Sequence, residues 1–231
     1  MDEQRAARER LVLGLDVGGL PAAKDLTRRL LPWFATVKVG YELYAEAGPA
    51  AFDALHGLGV RVFADLKLHD IPNTVARAAH VLGRRGVDFL NFHAAGGVAM
   101  LEAGVDALRE GARAAGRDTP IALGVTVLTS ETDTGAFEER VRWAREADCD
   151  GVVCAAAEVV TARAANLRTM VPGIRLAGAG VHDQARAATP ERAIADGADW
   201  LVIGRAVTES NDPEAAAAHI HAVVEAAAQP V

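Results

Sequence analysis

The stretch FADLKLHDI (63–71) sets two carboxylates and an ammonium group within a few positions at the end of an apolar run. Burying a charge is costly unless it is paired. Asp65, Lys67 and Asp70 are therefore either solvated loop residues or a preorganised site whose charges hold one another. Side chains alternate along a strand, so Asp65 and Lys67 should point the same way and Leu66 the other. Lys38 ends the preceding strand-like run, ATVKVG (35–40), and should neighbour Asp65. The row Lys38, Asp65, Lys67, Asp70 then alternates in sign, which keeps both lysines protonated. The bland alternative is an ion-pair patch on the surface.

A second constellation is anion-binding in character. GRAVT (204–208) follows the last strand-like run, and such a turn opening onto a helix is where barrel enzymes often hold phosphate. Gly204 permits close backbone approach and Arg205 offers a bidentate fork. Taken alone, Gly-Arg is an ordinary turn; its place after the eighth strand is what favours phosphate.

These residues need a scaffold that brings them together. Candidate strands lie at 11–16, 35–40, 60–66, 88–94, 121–128, 150–155, 174–179 and 199–204. Amphipathic helix-like segments, such as 76–85 and 213–228, separate them. Eight strand–helix units predict an α/β fold, a single-domain (β/α)8 TIM barrel occupying 1–231. A doubly wound open sheet competes, but no Gly-x-Gly-x-x-Gly follows the first strand. Asp16, Lys38, Asp65, Lys67, His93 and Thr129 all fall at or just past strand C-termini, the active-site face of a barrel. His69, by alternation, turns away from Lys67 and is read as structural; Trp33, Trp143 and Trp200 are read as packing.

Bulk composition narrows the function. A formal charge of −7 argues against broad nucleic-acid or anionic-membrane binding, yet leaves room for a small phosphorylated ligand. Cys149 and Cys154 fit buried thiols in a reducing cytoplasm rather than a disulfide or metal pair. The polar start MDEQRAARER carries no apolar leader core, and no run is long enough to span a membrane, so a soluble cytoplasmic protein is expected.

With these residues in hand, the chain resembles the orotidine 5'-monophosphate decarboxylases of the bacterial type. DLKLHDIPNT matches their Asp-x-Lys-x-x-Asp-Ile-Pro signature. LDV at Asp16, VKVGYELY at Lys38, NFHAAGG at His93, VTVLTS at Thr129, PGIR at Arg175, DQARAATP at Gln184 and VIGRAVT at Arg205 follow in the family's order. The resemblance implies decarboxylation of orotidine 5'-monophosphate to UMP, the last step of de novo pyrimidine synthesis, with no cofactor and no metal. It implies that Lys67 stabilises the C6 carbanion and then protonates it, with Asp65 beside the departing carboxylate. Asp16 and Lys38 would bind ribose hydroxyls, and the Thr129 region the pyrimidine. Arg205, with Arg175, would take phosphate, under a lid at 176–184 whose Gln184 reaches the base. It further implies a homodimer in which Asp70 and Thr74 complete the neighbour's site.

Two other functions compete. A Mg²⁺-dependent sugar-phosphate aldolase or decarboxylase on the same barrel would want further carboxylates, such as a Glu after strand two, where Lys38 and Gly40 stand instead. A non-catalytic phosphate sensor would have no need of a proton donor at Lys67.

Overall fold

Parallel strands need crossovers, and here every crossover is helical, so the sheet can curl until its first and last strands pair. The computed structural model describes residues 2–131, 133–176 and 188–228. A lead-in helix α1 (Asp2–Arg10) runs into β1 (Leu11–Gly14), α2 (Leu20–Leu30) and β2 (Thr36–Val39). Two short helices, α3 (Tyr41–Ala47) and α4 (Ala50–His56), lead to β3 (Arg61–Leu68) and α5 (Pro72–Arg84). β4 (Phe89–His93), α6 (Val98–Ala114), β5 (Ile121–Val125) and α7 (Phe137–Glu146) follow. β6 (Gly151–Val153), α8 (Val159–Ala164), β7 (Arg168–Val171) and α9 (Pro190–Ala195) come next. The chain closes with β8 (Trp200–Ile203), α10 (Arg205–Thr208) and α11 (Pro213–Ala227). The strands pair in sequence order, and β1 meets β8 to close the barrel.

Local sequence explains the elements. Pro72 starts α5, where a missing N–H costs nothing, and Val75, Ala79 and Leu82 turn inward at helical spacing. Thr189 and Asp212 cap α9 and α11 by accepting the N–H of Arg192 and Ala215. Inside the barrel, Val12, Phe63, Phe89, Leu123, Met170, Trp200 and Val202 form a plug. Phe89 sits edge-on to Phe63 and Trp200, with centroids 6.1 and 5.2 Å apart, so Trp200 is a packing residue as expected. The larger apolar cluster lies between the barrel wall and its helices. Cys149 and Cys154 are buried free thiols, and burial pushes Cys149 up to about 12.

The predicted barrel is the observed one, with one strand displaced. The seventh strand was expected at 174–179; it is Arg168–Val171, which lies between β6 and β8. RTMV is short and opens on a charge, whereas the apolar residues after Pro172 read more like a strand. Among the described residues of that later run, Ile174 pairs through one bridge to Ala188. β1 and β5 also stop short of their expected ends, because Leu15 and Thr126 turn into the loops that carry the site.

Candidate active site

Strand β3 does not end as a regular strand. Its register against β4 passes from Ala64↔Leu90 to Leu68↔Phe92, so four steps on β3 face two on β4. The surplus forms a bulge, a device that re-aims side chains at barrel rims. Lys67 lies in it with φ 42°, a left-handed conformation costing a non-glycine residue roughly 1–2 kcal/mol. Asp65 and Lys67 do meet, as alternation predicts, but a bulge rather than a regular pleat brings them together.

Their contact is direct. The Lys67 Nζ donates to Asp65 Oδ1 at 2.6 Å, and Lys38 Nζ stands 3.3 Å from Asp65 Oδ2. Lys38 Nζ also lies 3.3 Å from Asp16 Oδ1, giving an Asp16–Lys38–Asp65–Lys67 chain of alternating charge. Asp65 is 15% exposed and Lys38 11%, so both are shielded from water; Asp16 is half exposed. Gly40 leaves the room this chain needs: a Cβ there would fall 3.0 Å from Lys38 Nζ and 3.1 Å from Asp16 Oδ1. Burial alone would raise the Asp65 pKa. The charges of Lys38 and Lys67, with hydrogen bonds from Lys67 and Asn91, outweigh it and hold the carboxyl below the usual carboxylate range.

The chain of charges lines a cavity of about 500 Å³ at the C-terminal end of the strands. Asp16, Lys38, Asp65, Lys67, Thr129, Arg175, Gly204 and Arg205 all border it, so eight expected site residues share one pocket. Phe63, Val125, Val127, Val153, Ile174 and Val202 supply apolar wall. A cavity of this size, lined by apolar and charged side chains together, has room for a nucleotide-sized ligand. Gly204 and Arg205 stand at the start of α10, as expected. Gln184, Gly178 and Gly180 lie outside the described residues.

Three expectations change. Asp70 does not extend the charge chain: its Oδ1 accepts the N–H of Ile71 at 2.7 Å, and it makes no ion pair among the described residues. The chain leaves the barrel at Leu68, so Asp70, Ile71 and Thr74 are exposed beside the mouth and do not border this chain's cavity. His93 does not border it either; its ring stacks on His69 at 5.3 Å and its Nδ1 accepts the Ala95 N–H. Finally, strand two is followed by a carboxylate after all. Glu42, on the first turn of α3, borders the cavity, as does Glu209. No group of three or more His, Cys, Asp or Glu side chains that could hold a metal occurs among the described residues.

Sequence reasoning also missed Asn91. It is fully buried on β4, accepts the Lys67 N–H at 2.7 Å and donates to Asp65 Oδ1 at 2.7 Å. The available signal was a polar side chain between Leu90 and Phe92 in a buried strand, which must find partners. Tyr41 is a further neighbour: its hydroxyl donates to the Leu66 carbonyl at 2.9 Å, and its ring lies 5.5 Å from Lys67 Nζ.

Comparison with known proteins places the whole chain. The family model described as "Orotidine 5'-phosphate decarboxylase / HUMPS family" matches residues 9–220. The chain is 47% identical to an orotidine 5'-phosphate decarboxylase of Moorella thermoacetica, over 95% of this chain and 93% of that one. It is 42% identical to the corresponding protein of Shewanella sediminis, over 91% and 95%. Among solved structures, the orotidine 5'-phosphate decarboxylase of Lactobacillus acidophilus superposes with a TM-score of 0.79 at 30% identity, covering 94% of this chain and 99% of that one. With the family model matched from residue 9 to 220 and relatives at 42–47% identity over nearly the whole chain, the protein belongs to the orotidine 5'-phosphate decarboxylase / HUMPS family.

Proposed function

We propose that this protein decarboxylates orotidine 5'-monophosphate to UMP and CO₂, as a single catalytic domain over 1–231 working in the cytoplasm without a cofactor. The observation that carries the reading is Lys67 Nζ held 2.6 Å from a charged, shielded Asp65 within the cavity bordered by Thr129 and Arg205. Loss of CO₂ from C6 leaves an electron pair with no adjacent carbonyl to accept it. The Lys67 ammonium stabilises that charge and then gives C6 the proton that replaces CO₂. Asp65 stands by the departing carboxylate and, with Lys38, keeps the ammonium in place. Preorganised charge in a water-poor pocket is worth several kcal/mol of barrier.

Asp16 and Lys38 take the ribose hydroxyls and Thr129 the pyrimidine. Gly204 and Arg205 take the phosphate, with Arg175 at the same end and Gln184 reaching the base. Asp70 and Thr74, exposed beside the mouth, serve the neighbouring site of a homodimer. Their position supports this role: they sit on the rim of the barrel yet outside their own chain's cavity. The family also includes the HUMPS proteins, but the Moorella and Shewanella relatives are orotidine 5'-phosphate decarboxylases by name.

The test is a spectrophotometric decarboxylation assay on orotidine 5'-monophosphate in excess EDTA. The wild type should be active, and Lys67→Ala should lose about 1,000-fold or more while keeping its fold. Activity that appears only after adding Mg²⁺, or only on a hexulose phosphate, would overturn the proposal.

A further inference from the structure

We propose that Asn91 is a positioning residue for Lys67, its one side-chain amide setting both the backbone that carries the ammonium and the carboxylate oxygen that receives it. The kinetic part of this inference rests on the decarboxylase reading above; the structural part does not.

The β3 bulge takes the Lys67 N–H out of the β3–β4 ladder, since the regular pairing resumes only at Leu68. A buried N–H needs another acceptor. Asn91 Oδ1 supplies it at 2.7 Å, from the strand that the bulge faces. The opposite end of the same amide donates at 2.7 Å to Asp65 Oδ1, the oxygen that also accepts from Lys67 Nζ. The two neighbours fix which way the amide points: an N–H must meet its oxygen, and a carboxylate must meet its NH₂. A closed ring results, running from Asp65 through the Lys67 side chain to the Lys67 backbone, then through Asn91 back to Asp65.

Each link does separate work. Left alone, Lys67 would relax from φ 42° to an ordinary extended or helical conformation, and Nζ would swing away from Asp65. Oδ1, with two donors, is pinned in rotation, leaving Oδ2 to face Lys38. Asn91 does this without adding charge. An aspartate would keep the acceptor for the Lys67 N–H but set a second carboxylate against Asp65. A leucine would fill similar space with no polar end. Asn91 is fully buried and does not border the cavity, so it acts only through its two partners.

The experiment compares Asn91→Leu and Asn91→Asp with the wild type. It measures kcat and KM on orotidine 5'-monophosphate, the kcat–pH profile, the urea midpoint and the crystal structure at Lys67. Substrate-binding groups are untouched, so KM should stay within about threefold while kcat falls about 100-fold, as misplacement of a reacting group by an ångström can cause. In Asn91→Asp the adjacent carboxylates share a proton, so a new ionisation should enter the kcat profile. In Asn91→Leu the Lys67 φ should leave the left-handed region.

Variants with wild-type kcat, losses in kcat that merely track loss of stability, or a Lys67 backbone unmoved in Asn91→Leu would each overturn the inference. If Asn91→Leu does not fold, the kcat–pH profile and the Lys67 Nζ–Asp65 distance in Asn91→Asp decide: a wild-type profile with that contact intact would overturn the inference. Were the wild type inactive on orotidylate, the proposed function would fall, and the Lys67 backbone in Asn91→Leu would still decide the role of Asn91.

Discussion

A carboxylate as shielded as Asp65 stays ionised only because Lys38, Lys67 and Asn91 all address it. Its folded pKa lies below its unfolded value, so the stability it contributes is complete above the unfolded value and lost as pH falls through the folded one. His93 gives a more accessible test. Burial, then the charges of Arg140 and His69, push it below 6.5; Glu131 opposes them and Lys67 adds to them. The unfolded chain then takes up the proton first, so stability should decline as pH drops below 6.5. His93→Gln should flatten that decline in urea midpoints measured across the range, and an unchanged slope would refute the assignment. At this scale the charged members of the site were legible, because Asp65, Lys67 and Lys38 are costly residues at strand ends. Asn91 was not: a lone amide in a strand looks the same whether it satisfies a loop or steers a lysine. Nor did pleat alternation reveal the bulge, since it predicts the same meeting of Asp65 and Lys67 without the left-handed backbone.

Strands with β-branched cores announced themselves at the level of the element, and the barrel followed from their count and their spacing by helices. β7 was hidden because four residues beginning with Arg168 carry too little pattern to outweigh the apolar run beyond Pro172. The packing of α5 on α6 was equally invisible, since it depends on what two glycines lack. A Cβ at Gly83 would fall 2.2 Å from the Leu108 carbonyl oxygen, and one at Gly111 would fall 2.1 Å from that of His80. Neither backbone can yield cheaply, so Gly83→Ala and Gly111→Ala should each destabilise the protein by about 1–3 kcal/mol in denaturant unfolding. Wild-type stability in both would show that the helices are free to separate. Because α5 begins two residues after Asp70, its seat against α6 also sets where Asp70 and Thr74 are presented.

Taken as a whole molecule, the barrel supplies every proposed substrate contact among the described residues except Asp70 and Thr74, which it turns outward. Site sharing in the proposed homodimer predicts complementation. Mixed Lys67→Ala and Asp70→Ala subunits, each inactive alone, should regain about a quarter of wild-type activity after exchange, because half the dimers are mixed and each of these holds one intact site of two. Absence of recovery despite verified exchange would count against the sharing of Asp70 between sites. Among the described residues no helix is long and apolar enough to cross a membrane. The closure of the barrel by Leu11↔Leu201 pairing has a bearing on synthesis. Lys38, Asp65 and Lys67 lie on neighbouring strands made early, whereas Gly204 and Arg205 follow the final strand. On the proposed assignment of Gly204 and Arg205, a nascent chain therefore holds its charged row long before it has its phosphate-binding residues. Ligand affinity should arrive abruptly with the last strand, so orotidylate analogues could rescue late folding defects but not early ones.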